Sequence, residues 1–339
     1  MKIQKVSRWS GLLLFIMLVA GCSQVTESKA TSSPAASVLP VSSASPTDTM
    51  LPTLTPAVTD TSTQSSTSTA VPILSVEDAR KRLLELLATN GDCRLPCLWG
   101  ITPGKNSDQE ARNILMPLSS ISAPELIYFE PIPLRGVLGG TITPLYVEGD
   151  LRLNVRMGYL YGEDGIVSRI GFRALEQQLS KDEYGNQLTA PIFDSPIFAK
   201  RTEYYSISHV LTEQGIPDSV MISFYLPSDN PTFAGGFEIA LLYPEQGIWA
   251  HYTMPLYSQS GTQRGCPASA HVEMDLYPSG NPEAFYSLLE ETDWARMKQG
   301  YKPVEEATSM SLEEFYETFR NPTDQCIETP ENLWLPPEP

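Results

Sequence analysis

The sequence predicts an α+β protein in which two tandem helix-then-antiparallel-sheet units follow a signal peptide and a disordered stalk. Three observations carry this expectation. Short one-sided helical patterns with capping residues are followed by segments alternating at period two, and that order occurs twice. From Ser23 to Pro72, 29 of 50 residues are Ser, Thr or Pro without apolar periodicity, a composition that cannot bury enough surface to offset the entropy of ordering. Ahead of it, a basic N-terminus (Lys2, Lys5, Arg8) runs into the apolar stretch Gly11 to Ala20, far short of the roughly 20 residues needed to span a bilayer. The expected boundaries are residues 1–21 for the signal peptide, 22–72 for Cys22 and the stalk, 73–200 for the first unit, and 201–339 for the second unit with its acidic C-terminal helices.

The apolar stretch ends Leu18-Val19-Ala20-Gly21-Cys22, and these five residues resemble the lipobox of bacterial lipoproteins. The resemblance implies cleavage before Cys22, a diacylglyceryl thioether on its sulfur and acylation (a palmitate, for example) of the new amine. Two or three chains at about 0.8 kcal/mol per buried methylene anchor stably where one would be marginal. Ser23, rather than Asp, follows the cysteine, which favours the outer membrane or outer surface of the cell envelope. A flexible stalk of this length holds the folded part on the order of 40 Å from the membrane.

In the first unit, Ser75-Val76-Glu77-Asp78 caps a helix with Val76, Ala79, Leu83, Leu86 and Leu87 on one face, ended by Asn90-Gly91. Cys93 to Cys97 and Leu98 to Gly104 read as a stiff loop. A capping box, Ser107 to Glu110, opens a second helix with Ala111, Ile114 and Leu115 inward, stopping by Pro117. Leu126–Phe129 and Thr143–Val147 are expected strands. Leu151, Leu153, Val155, Met157 and Tyr159 alternate with polar residues, and Glu163-Asp164-Gly165 turns the chain into a partner strand, Ile166–Phe172. Gly136 to Gly140 reads as a flexible hairpin loop and Gln177–Pro196 as a long exposed connection.

In the second unit, Ser206 caps a helix with Ile207, Val210 and Leu211 inward, Gly215 ends it and Pro217 prevents continuation. Strands are expected at Val220–Leu226, Phe237–Tyr243, Ile248–Met254 and Ala270–Tyr277. Asn281-Pro282 starts a helix with Phe285, Leu288 and Leu289 inward, and Ser311 to Glu314 caps one with Phe315 and Phe319. The junction Val210 to Asp218, a helix ending in Gly-x-Pro before a strand, resembles that of the small lipoprotein subunit of the outer-membrane barrel-assembly machinery and of the related β-lactamase-inhibitor-protein fold. It implies a helix-on-sheet unit and no functional residue.

The chain has 23 basic and 40 acidic residues, a net charge of −17. From Glu273 onward 15 acidic residues face four basic ones. Such a surface repels phosphate backbones, so nucleic acid is not an expected partner. Cys22 aside, the even number of cysteines in an exported chain points to disulfides. Cys93, Cys97, Cys266 and Cys326 allow three pairings; Cys93 and Cys97 are close enough to bond locally, and Cys266 would then reach Cys326 across the last helices.

Candidates for chemistry are few. Val272, Met274 and Leu276 alternate inward on the last strand, which turns His271, Glu273 and Asp275 to the other, solvated face. If Ile248–Met254 is the neighbouring strand, His251 joins them, and two imidazoles with two carboxylates suit a divalent cation. Polar residues on the wet side of a half-buried sheet are the expected alternative, and no metal, cofactor or catalytic residue is assigned. Trp99, Trp249, Trp294 and Trp334 are either core or the lining of a ligand groove. No Gly-x-Ser-x-Gly elbow, phosphate-binding Gly loop or His-Glu-x-x-His occurs. The leading expectation is therefore a membrane-anchored, non-catalytic binding or accessory module displayed at the envelope, its partners an envelope protein or extracellular ligand. The alternatives are a metal-dependent hydrolase of envelope or extracellular polymers, and a structural accessory of outer-membrane assembly.

Overall fold

The structure is a computed structural model that describes residues 71–122, 138–181, 187–226, 235–290, 294 and 300–334. The expected signal peptide, Cys22, almost all of the expected stalk and the expected strand Leu126–Phe129 lie outside them. The described residues form one compact unit. No helix among the described residues is long and apolar enough to cross a membrane.

The fold is α+β, built on one large antiparallel sheet. Helix α1 (Val76–Thr89) starts on Ser75, whose hydroxyl accepts from the Asp78 amide, and ends on Asn90 in a left-handed conformation. Ala79, Leu83, Leu86 and Leu87 are its buried stripe, while Val76, expected inward, is 47% exposed because it sits in the first turn, before the helix reaches the core. Helix α2 (Asp108–Leu115) has the complete capping box of Ser107 and Glu110. Helix α3 (Pro196–Arg201) and helix α4 (Ile207–Gln214) follow the first strands. Gly215 closes α4 at φ 87° and ψ −157°, a conformation open essentially to glycine alone.

Strands β1 (Leu138–Ile142) and β2 (Leu145–Glu148) both pair with β3 (Leu151–Tyr161), β1 along Met157–Tyr161 and β2 along Leu151–Asn154. The single strand expected at Thr143–Val147 is thus broken at its start, where Pro144 has no N–H for a ladder. The expected glycine loop is also a correction. Leu138 to Gly140 belong to β1, and a Cβ on Gly139 would stand 2.4 Å from the Tyr159 carbonyl oxygen, so the glycine serves a close strand approach. Strand β4 (Val167–Lys181) runs nine residues past the expected end and pairs with β5 (Gln187–Pro191) over Gln177–Lys181. The segment read as an exposed connection reads so because its side chains are polar; β5 satisfies its backbone, and Glu176 is 1% exposed.

The second half supplies β6 (Ser219–Tyr225), β7 (Gly236–Tyr243), β8 (Ile248–Pro255) and β11 (His271–Leu276). Between them lie β9 (Tyr257–Gln259) and β10 (Thr262–Gly265), which form a three-stranded sheet with β13 (Ile327–Pro330). The main sheet runs β1-β3-β4-β11-β8-β7-β6-β12, with β12 (Lys302–Pro303) at the edge. The strands expected in two separate sheets therefore belong to one, joined where β11 pairs with β4, Val272 opposite Ala174 and Met274 opposite Phe172.

One face carries the principal core. Leu83, Leu86, Leu115, Val210 and Phe315 pack there against Met157, Phe172, Ile239, Tyr252 and Met274. Helix α5 (Pro282–Glu290) covers part of the opposite face, where Phe285 and Leu289 pack with Ala240, Leu242, Trp249, Tyr277, Trp294 and Tyr301. The C-terminal half is thus buried on both sides, and Leu241, Leu242 and Tyr243 run apolar without alternation for that reason. Helices α6 (Val304–Ala307) and α7 (Leu312–Phe319) close the chain, α7 on the capping box of Ser311 and Glu314. Disulfides join Cys93 to Cys97 and Cys266 to Cys326, their Cα atoms 5.8 and 4.2 Å apart.

Candidate functional site

Period two in β11 turns His271, Glu273 and Asp275 to the face opposite the principal core, and the β8–β11 register sets His251 directly opposite Glu273. The four residues picked from the sequence do share a face. That face is not wet: helix α5, Trp294 and Tyr301 cover it at its C-terminal half, and His251, His271 and Asp275 are all buried. Each of the four is engaged by a different group.

Asp275 receives Arg169 as a fork, Nε to Oδ1 at 3.0 Å and Nη2 to Oδ2 at 2.7 Å, a geometry that uses both carboxylate oxygens. Glu273 is half exposed and lies 3.9 Å from Arg173. His271 lies between Phe193 and Phe198 with Nε2 2.8 Å from the Ile192 carbonyl. A carbonyl only accepts, so Nε2 carries the proton. Burial pushes the His271 pKa down to about 4, the carbonyl bond opposing and Arg173 adding to the effect. The ring is therefore a neutral packing element at pH 7.

His251 belongs to a chain of bonds the sequence does not announce. Tyr301 Oη lies 2.6 Å from Glu238 Oε2 and 2.9 Å from His251 Nε2. A carboxylate only accepts, so the phenol donates to Glu238 and takes the His251 N–H on its oxygen. Burial raises the Glu238 pKa, but the His251 ring, its Nε2 3.7 Å from Oε1, and the bond from Tyr301 outweigh it and hold the carboxyl below its usual range. Burial pushes the Tyr301 phenol up, the charge of Glu238 adding to the shift. The imidazole also stacks on Trp249, 5.4 Å between ring centres. This cluster fastens the segment at Tyr301 to β7 and β8. Among the described residues no three His, Cys, Asp or Glu side chains converge on a point that could hold a metal ion.

A concave feature of the surface lies elsewhere. A cavity of about 430 Å³ opens between the α3–α4 junction, the β8–β11 part of the sheet, residues 267–270 and residues 319–324. Tyr252, Val272, Ala270, Ile207 and Phe319 contribute apolar lining, and Lys200, Glu203 and Asp324 are its charged side chains. Tyr252 is 1% exposed, and its hydroxyl, closed to solvent, has no hydrogen-bond partner among the described residues. Burial pushes its pKa far up, so the group is a neutral hydroxyl. Two walls of the cavity are set by one covalent link, since Pro267 follows Cys266 and Asp324 stands two residues before Cys326.

Of the four tryptophans considered as a groove, none lines this cavity. Trp99 is buried under helix α1 and donates to Tyr205, Trp249 and Trp294 pack edge to face, and Trp334 lies across Phe224 and donates to Thr329. Sequence reasoning missed the cavity because its lining comes from four distant segments. Tyr252 carried no signal of its own, being an ordinary inward position of an alternating strand. Compared with protein-family models and with curated proteins, the chain matches none.

Proposed function

We propose that the chain is a lipid-anchored, non-catalytic binding module of the cell envelope. In this reading Cys22 carries the acyl chains, the Ser/Thr/Pro-rich stretch is a spacer, and the folded part presents a small-ligand cavity on the extracytoplasmic side. The observation that carries it is a cavity whose size falls in the range of small-molecule sites, roughly 300–1,000 Å³, and whose lining includes Tyr252, its hydroxyl closed to solvent and without a hydrogen-bond partner among the described residues. A buried polar group left unpaired costs about 1–3 kcal/mol, and a bound molecule that parts the lining far enough to hydrogen-bond it recovers that loss. The opposing charges of Lys200 and Glu203 in the lining suit a ligand with both a donor and an acceptor end. We also read residues 73–200 and 201–339 as two tandem units; the support is that each half contributes its own antiparallel run of strands to one side of the β4–β11 junction.

The test is a thermal-shift screen of small donor- and acceptor-bearing compounds against the full chain and its Tyr252→Phe variant. Hits that stabilise the parent and lose their effect in the variant are the expected result. No hits, or hits indifferent to Tyr252, would remove the binding reading. Placement is tested separately by Cys22→Ala, which is expected to release the protein from washed membranes.

A further inference from the structure

The cavity at the α3–α4 junction has an apolar floor and a polar rim, and part of that rim is a set of unused donors. The start of α4 contributes Ser206, Ile207 and Ser208 to the lining. The first amides of a helix have no acceptor within it. The Ser206 hydroxyl takes the His209 N–H and the Ser206 carbonyl takes that of Val210, so the N–H groups of Ile207 and Ser208 have no acceptor among the described residues. The hydroxyls of Ser206 and Ser208 lie 3.1 Å apart. One proton makes that bond whichever oxygen donates it, and the other hydroxyl proton is left over. Lys200, in the last turn of α3, lines the same cavity.

The lining also carries two carboxylates, Glu203 from the turn between α3 and α4 and Asp324 from the segment that the Cys266–Cys326 bridge holds. Among the described residues the side chains of Lys200, Glu203 and Asp324 have no ion pair and no hydrogen bond. The fold does pair such groups nearby, Arg201 with Glu148 at 2.8 Å. Three unmatched charges and two open amides thus meet at one concavity. Beneath them Ala270, Val272 and Phe319 are apolar, and the Tyr252 hydroxyl is closed to solvent without a partner among the described residues.

We infer that the cavity takes a free amino acid with an apolar side chain, bound as its zwitterion. The inference rests on the reading of the cavity as a small-ligand site and names the class of ligand. A carboxylate suits the open amides of Ile207 and Ser208, the spare serine proton and the Lys200 ammonium, because a helix N-terminus carries partial positive charge. An ammonium suits Glu203 and Asp324. The apolar side chain is left for the floor, which removes it from water. A simple anion brings its charge toward two carboxylates, and a simple cation toward Lys200 and the helix end. Each satisfies one part of the rim and opposes the other, whereas the zwitterion uses both. Its zero net charge also spares it repulsion from a chain of net charge −17.

The test is calorimetric titration of the full chain carrying Cys22→Ala, so that no acyl chain contributes, with leucine, phenylalanine, leucinamide and isocaproate. Leucinamide lacks the carboxylate of leucine, and isocaproate lacks its ammonium. Saturable binding of leucine or phenylalanine is expected, about tenfold or more tighter than that of leucinamide and isocaproate. It is expected to weaken about tenfold or more in Lys200→Gln and in Asp324→Asn, and to be unmoved by Arg82→Gln. Leucinamide or isocaproate binding as tightly as leucine, or an affinity unchanged in either variant, would overturn the zwitterion and leave the cavity as a binding site. Failure of both amino acids to bind also overturns it; the wider screen then decides the cavity reading separately, since hits that depend on Tyr252 keep that reading and their absence removes it. Lys200 and Asp324 are exposed, and should one variant fail to fold, the other carries the same readout.

Discussion

The indole N–H of Trp99 donates to the phenol oxygen of Tyr205 at 2.9 Å, a buried bond between residues 106 positions apart. The Tyr205 hydroxyl in turn donates toward the Leu86 carbonyl at 3.1 Å and Asn90 Oδ1 at 3.2 Å. One phenol thereby ties the end of α1, the loop after the first disulfide and the segment entering α4. Its burial pushes the pKa up, so the hydroxyl stays protonated throughout the physiological range.

Tyr205→Phe keeps the ring and its packing on Phe172, 4.6 Å between centres, while leaving the Trp99 N–H without an acceptor. A loss of about 1–3 kcal/mol is expected in chemical denaturation. A loss under about 0.5 kcal/mol would show that the Trp99 N–H finds another partner.

The disulfide between Cys266 and Cys326 spans 60 residues, against four for Cys93 and Cys97. In the chain-entropy account the longer loop contributes roughly 4 kcal/mol and the shorter one clearly less. The double variant Cys266→Ala, Cys326→Ala is expected to lower stability on that order and to speed amide exchange over residues 319–330. Equal effects from removing either bridge would contradict the loop-length argument.

His271 sets a pH dependence whose sign follows from its lowered pKa. With a folded value of about 4 against an ordinary 6.5, the unfolded chain binds the proton more tightly, so this contribution is complete above pH 6.5 and is lost as pH falls toward 4. The full amplitude is about 3 kcal/mol. Denaturation midpoints measured between pH 7 and 4 are expected to fall, and His271→Phe, which preserves contact with Phe193 and Phe198, to flatten the slope. An unchanged slope in that variant would place the titration elsewhere.

Both carboxylate oxygens of Glu176 are closed to solvent and have no hydrogen-bond partner among the described residues. An unpaired carboxyl in an apolar setting is costly, and Glu176→Gln is expected to stabilise the protein by about 1 kcal/mol or more. A fall in Tm would instead mean that the carboxylate has an attractive role in the fold.

Much of the fold was legible because its signals are local. Capping boxes at Ser107 and Ser311, the αL position at Asn90, and the alternation from Leu151 to Tyr159 each identify an element from within a few residues. The extension of β4 and the burial of β11 on both faces were not legible, because they depend on what lies across the sheet: β5 for one, α5 for the other. The same limit explains the candidate site. His251, His271, Glu273 and Asp275 were placed on a common face by periodicity alone, but their partners Tyr301, Ile192, Arg173 and Arg169 come from elsewhere in the chain.

The pairing of β4 with β11 has a consequence for any shortened form of the protein. Neither strand is an edge, so each half conceals the other's open row of amides and carbonyls. A chain ending near residue 200 would bare residues 170–174, and one starting there would bare 271–276, each a ready template for self-association. Synthesis that stops midway thus yields a sticky fragment rather than a smaller working protein, and the intact length acts as its own safeguard against aggregation.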